Sequence, residues 1–122
     1  MKKILNYINN QLKEIPINYA YLRWNKEIVY PYFVGECSEP TEPTEEDQYH
    51  EFTFILTGFT TGSSMELEEA RAKIEKLFST KRAIVDNSAV VISYAGAFPI
   101  PIEEGRLKKI QININIKEWR VN

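Results

Sequence analysis

The sequence holds a single cysteine, Cys37, and a single histidine, His50. One thiol cannot close an intramolecular disulfide, and the two residues together cannot supply the multi-cysteine or multi-histidine ligand set of a zinc site. Thiolate catalysis would need Cys37 beside a base in a cleft, yet it borders a run of carboxylates, so a small incidental or buried thiol explains it. A positive excess is also missing. Fifteen basic against seventeen acidic residues leave a net charge of −2, which excludes the electrostatic attraction that drives bulk nucleic-acid binding and offers nothing for sequence-specific readout. The opening MKKILNYINNQ lacks the continuous apolar core of a secretory signal, and no stretch is long and apolar enough to span a bilayer. The expectation is a protein that folds in a reducing cytoplasm without membrane, metal or cofactor. Neither an internal repeat nor a domain linker is visible, and 122 residues suit one α+β domain.

The clearest pattern that is present runs over residues 50–78. Phe52, Phe54 and Leu56 alternate with Thr53, Ile55 and Thr57, the period of two that sends side chains to opposite faces of a strand. Gly58 and Gly62 then read as a turn. Ser63 and Glu66 have the spacing of a capping box, in which the hydroxyl caps an orphan amide and the glutamate reaches back. Leu67, Ala70, Ile74, Leu77 and Phe78 form one apolar stripe of the helix that follows, with Glu66, Glu68 and Glu69 ahead of Lys73 and Lys76 as the macrodipole favours. A phosphate-loop reading of Gly58 to Ser64 fails because no lysine precedes the serine pair. A turn and an N-cap account for these residues.

The flanking segments complete the layout. Ile4, Leu5, Ile8, Leu12 and Ile15 recur at helical spacing before Pro16, and the face between them is asparagine-rich rather than basic, so core packing explains this helix better than a membrane surface does. Residues 19–24 and 28–34 read as an antiparallel hairpin, with Pro31 placing the second strand at an edge or a bulge. Its tyrosines and tryptophan could stack sugars or bases, but core packing is the ordinary use of such residues. Residues 38–48, SEPTEPTEEDQ, are predicted to form an exposed acidic loop, since they contain no large apolar side chain and lack the ligand spacing of an EF-hand. A short strand is expected over 89–94, followed by a loop or bent strand end. The last strand is the most regular: Ile110, Ile112, Ile114 and Ile116 face one side, and Gln111, Asn113 and Asn115 the other. The expected fold is α+β, a mainly antiparallel sheet of four to five strands with two helices on one face.

None of this specifies a reaction. The order helix, hairpin, acidic loop, strand, turn, helix and further strands resembles the tail-terminator (tail-completion, head–tail joining) proteins of long-tailed bacteriophages and prophages. The elements that carry the resemblance are Tyr30-Pro31-Tyr32-Phe33-Val34-Gly35-Glu36, the strand-turn Phe54-Ile55-Leu56-Thr57-Gly58-Phe59 and the helix over 68–78. It covers most of the chain through layout and weak local patterns, with no diagnostic motif. The resemblance implies a non-enzymatic virion protein that forms a ring, usually a hexamer, ending the tail tube. Its implied partners are the tube protein and the head-side connector, first in the bacterial cytoplasm and then in the virion neck. A ring repeats one heterologous contact and so needs two patches on each subunit. The candidates are the polar face of the last strand at Asn113 and Asn115, and the aromatic segment at Trp24 and Tyr30. Another neck or tail component, or a monomeric protein-binding adaptor, are the alternatives.

Overall fold

The computed structural model describes residues 2–38, 49–101 and 105–120. The elements, in chain order, are α1 (Lys2–Lys13), β1 (Asn18–Tyr21), β2 (Tyr32–Cys37), β3 (His50–Thr60), α2 (Ser64–Leu77), β4 (Lys81–Val85), β5 (Ser88–Ile100) and β6 (Lys108–Arg120). The six strands form one sheet in the order β1-β2-β3-β6-β5-β4. The α+β class stands, and the rest of the expectation is met in part. Among the described residues the sheet has six strands instead of four to five, and it is mainly antiparallel but mixed: β1 and β2 run parallel, with Asn18 opposite Tyr32 and Tyr21 opposite Gly35, while the other neighbours are antiparallel. The expected hairpin at residues 19–34 is therefore absent. Residues 22–31 carry the chain back to the start of β2, as a parallel neighbour requires. Pro31 precedes that strand, and β1 is the edge.

Alternation dictates which face is buried. Phe52, Phe54 and Leu56 of β3, Ile110, Ile112, Ile114 and Ile116 of β6, and Val90 and Ile92 of β5 join Phe33 of β2 in a single apolar core. Both helices contribute to it, α1 through Ile4, Ile8 and Leu12, and α2 through Leu67, Ala70 and Ile74, with Phe78 just beyond. Helix α2 lies against β3, β5 and β6, whereas α1 touches both β1 and β4. Those two are the opposite edges of the sheet, so the sheet curls around its core. At one edge the Tyr19 hydroxyl donates to Asn9 Oδ1; at the other Lys3 pairs with Asp86 at 2.7 Å. The Lys3 pair is exposed and contributes little.

Strand β3 runs through Gly58 to Thr60, past the position where the sequence suggests a turn. Gly58 faces the core, and a Cβ placed there would stand 2.3 Å from the ring of Phe33, which is fully buried. The glycine thus makes room for an aromatic ring on the neighbouring strand. Helix α2 begins as expected: Ser63 is the N-cap, and its side chain accepts from the Met65 amide at 3.1 Å. Glu66 does not close a capping box. Its Oε2 accepts from the buried Thr60 hydroxyl at 2.8 Å, tying the helix to the end of β3.

Strand β4 was not anticipated; it joins β5 through Asp86 and Asn87, both at positive φ, as a tight two-residue hairpin turn requires. Strand β5 continues through the segment read as a loop or bent end, and a register shift between Tyr94 and Ala97 accommodates Gly96 at φ 114°. The acidic segment, apart from Ser38, lies outside the described residues.

Candidate functional site

The helices cover one sheet face, and the opposite, outer face holds the candidate residues. On β3 this face presents Thr53, Ile55, Thr57 and Phe59; on β6 it presents Lys109, Gln111, Asn113, Asn115 and Lys117. Asn113 and Asn115 are half-buried and lie opposite Ile55 and Thr53. The Gln111 amide donates to Asn113 Oδ1 at 3.0 Å. The centre of the face is thus a strip of amides and hydroxyls around Ile55, with Glu36 of β2 exposed in the same row.

Aromatic rings flank the strip at both ends. At one end Tyr32, Phe59, Lys109 and Ile100 stand in a single row across β2, β3, β6 and β5. Trp24 packs on Tyr32 with ring centroids 5.0 Å apart, Tyr30 on Tyr32 at 5.7 Å and Tyr32 on Phe59 at 5.1 Å, while Lys109 Nζ lies 5.6 Å from the Phe59 centroid. At the other end Tyr49 packs on Trp119 at 5.1 Å, with Lys117 Nζ 5.2 Å above the Tyr49 ring. The candidates Trp24 and Tyr30 therefore share a sheet face with Asn113 and Asn115, and do not form a patch on another side of the molecule. Phe59, Tyr32 and Lys109 complete the aromatic group and were missed. Carrying the alternation of β3 one step beyond Gly58 would have placed Phe59 on this face.

Residues 22–31 lead into the aromatic group and are held from several sides. The Leu22 amide donates to Gly35 O at 2.8 Å, Trp24 Nε1 to Glu27 O at 3.1 Å, and Asn18 Nδ2 to Pro31 O at 3.0 Å. The segment nonetheless exposes Leu22, Ile28, Val29 and Tyr30. A separate groove of about 580 Å³ opens between the start of α2 and the joined ends of β5 and β6. Leu67, Pro99, Ile100, Leu107 and Ile110 line it, with Arg106 and Lys108 among its polar residues.

The remaining chemistry-bearing groups have structural surroundings. Burial pushes the Cys37 thiol up to about 11, which keeps it protonated at neutral pH. Ser88 Oγ donates to Glu118 Oε2 at 2.8 Å, satisfying a carboxylate buried on the core face of β6. Arg71 reaches Glu68, Glu75 and the Tyr94 hydroxyl, and its hydrogen bond to Glu68 holds that carboxyl below its usual range. Burial raises the Tyr19 hydroxyl far above its ordinary value. Among the described residues no group of three or more His, Cys, Asp or Glu is placed to hold a metal ion, and no helix is long and apolar enough to cross a membrane.

No family model matches this chain, nor does any curated protein. Among solved structures, 21 chains match. One of them superposes with a TM-score of 0.68 over 99% of this chain and 94% of its own length, at 11% sequence identity. At that identity the likeness shows a shared fold: a mixed, curled sheet with two helices on its concave side.

Proposed function

We propose that this chain is a ring-forming structural subunit of the tail-terminator kind, which ends a phage tail tube and joins it to the head-side connector. The observation that carries the reading is the outer sheet face, which no helix among the described residues covers. A small protein that works alone has little use for an aromatic group at each end of an open face together with exposed Leu22, Ile28, Val29 and Phe98. Such surface marks contact with other proteins. The strip at Asn113 and Asn115 suits packing against another polypeptide, because its amides can pair across the contact, with Glu36 in the same row left for a cationic partner. In this reading the subunit performs no chemistry, and the ring assembles in the bacterial cytoplasm before it enters the virion neck.

The test has two arms. Light scattering over a concentration series reads the state of the free protein, and negative-stain microscopy with purified tail tubes reads capping and length control. A discrete oligomer, or a subunit that caps tubes, supports the proposal. A strict monomer that neither caps tubes nor limits their length removes it and leaves a monomeric adaptor.

A further inference from the structure

The aromatic end of the outer face holds a cavity of its own, apart from the groove beside α2. It has about 350 Å³ and opens over the Tyr32 end of β2, with Trp24, Tyr32, Val34 and Phe59 as its apolar walls. That volume falls within the roughly 300–1,000 Å³ of ligand clefts. The rings are fixed before anything binds. Trp24 and Tyr32 pack at 5.0 Å with their planes 37° apart, Tyr32 and Phe59 pack at 5.1 Å, and the Trp24 indole N–H donates to Glu27 O at 3.1 Å. Preordered aromatic clefts of this kind are the surfaces on which proline-rich segments seat. Three charged side chains line the cavity, Arg23 and Lys109 against Glu36, and Lys26 and Glu27 of the same connection cancel, so the site is positive by one charge.

One segment of this chain has the matching pattern. Residues 39–45 read Glu-Pro-Thr-Glu-Pro-Thr-Glu, a strict period of three, and residues 38–48 carry five carboxylates and no basic side chain. In the left-handed winding of proline-rich ligands, three residues to a turn, that period sets Pro40 and Pro43 on one ridge about 9 Å apart and Glu39, Glu42 and Glu45 on the next. The proline ridge suits the rings, and the glutamate ridge suits Arg23 and Lys109. The segment cannot reach the cavity of its own subunit. It leaves β2 after Cys37 and rejoins the sheet at His50, at the far end of both strands from Tyr32 and Phe59. A path to the Tyr32–Phe59 row and back is about 50 Å at the rise of a strand. The chain from Ser38 to Tyr49 extends to about 40 Å at most.

We infer that the acidic proline segment of one copy docks in the aromatic cavity of the next, its prolines on Trp24, Tyr32 and Phe59 and its carboxylates toward Arg23 and Lys109. The inference rests on the ring reading and deepens it by naming both halves of the contact between subunits. Donor and receptor are different surfaces at opposite ends of the same strands, which makes the contact heterologous, the kind that a ring repeats.

The probe is a fluorescein-labelled peptide of residues 38–48, followed by anisotropy. It is titrated with the full chain carrying Pro40→Ala and Pro43→Ala, whose own segment no longer competes for the cavity. Binding should saturate and should weaken as salt is raised. It should fall by at least about tenfold when Trp24→Ala or Lys109→Glu is added, each first shown to melt like its parent. A peptide with alanine at both proline positions keeps every charge and should also bind at least about tenfold more weakly. In the unlabelled chain, the double proline variant and Trp24→Ala should each reduce self-association, or tube capping where wild type assembles only on tubes. Absent peptide binding, equal binding of the alanine peptide, or tighter binding of an oligothymidylate of the same length overturns this contact and leaves the ring reading standing. Variants that assemble or cap like wild type do the same. A wild type that neither associates nor caps tubes overturns both.

Discussion

Replacing Gly58 with alanine should destabilise the protein through a single clash. The added methyl would stand 2.3 Å from one edge carbon of the Phe33 ring and 2.8 Å from two others. Phe33 is fully buried in the core, so its ring can shift only by displacing packed neighbours or toward the cavity of about 260 Å³ that it lines with Ile17, Pro31 and Ala70. Overpacking of this kind costs about 1–3 kcal/mol. Any strand-propensity gain of alanine over glycine offsets less than about 1 kcal/mol of that. For a chain of this length each kcal/mol lowers the midpoint by about 3–5 °C, so Gly58→Ala should melt about 3–15 °C below wild type when followed by circular dichroism. Phe33→Leu alone should also destabilise, because it leaves a void. Combined with Gly58→Ala it should lose at least about 1 kcal/mol less than the sum of the two, because the smaller side chain makes room for the methyl. A Gly58→Ala protein melting within about a degree of wild type, or a strictly additive double variant, would refute the close-approach account of this glycine.

Two further outcomes follow from burial. Ile74→Asp places an unpaired carboxylate at a position with no solvent exposure and should cost more than about 3 kcal/mol, leaving the protein insoluble or unfolded in a solubility and melting assay. Cys37 should resist alkylation: with its thiol raised from 9.0 to about 11, the folded protein carries about a hundredfold less thiolate near pH 8 than an unfolded chain does. The sign also fixes a stability effect. The protonated thiol is favoured by the fold, so its contribution is whole below pH 9 and fades as pH rises toward 11. Iodoacetamide labelling of native and urea-unfolded protein across that range checks both, and equal rates at pH 8 would contradict the burial of the thiol.

The sequence was most legible where one physical rule acted alone. The isoleucines of β6 alternate without interruption, and all four are buried. Ser63 caps α2 because no other element competes for its hydroxyl. Glu66 was misread because Thr60, six residues upstream, is a closer partner than the cap amide once β3 has brought it there. The parallel pairing of β1 and β2 was hidden because a period of two carries no strand direction, and the aromatic run hid the point where β1 stops. Strand β4 escaped notice since Lys81, Arg82 and Ile84 present a mixed pattern, with Ile84 exposed at an edge. For the candidate site, Trp24, Tyr30, Asn113 and Asn115 were recognisable as residues with contact area to spare, yet their common face depends on register. The groove was invisible, because Leu67 and Leu107 are brought together by the sheet and by nothing local.

Strand order has a consequence for synthesis. The two middle strands of the sheet are β3 and β6, which pair along the full length of β3 from His50 opposite Glu118 to Thr60 opposite Lys108. Every other element leaves the ribosome before β6 does. Until then β3 and β5 each lack a neighbour, and the apolar faces of both helices lack much of the wall they pack against. A nascent chain that has made α1 through β5 therefore holds two disconnected fragments of sheet, β1-β2-β3 and β5-β4, with unsatisfied edges facing each other. Formation of the sheet is gated by a strand that must insert between partners already made, and a chain cut short before residue 108 would expose those two edges instead of giving a smaller stable protein.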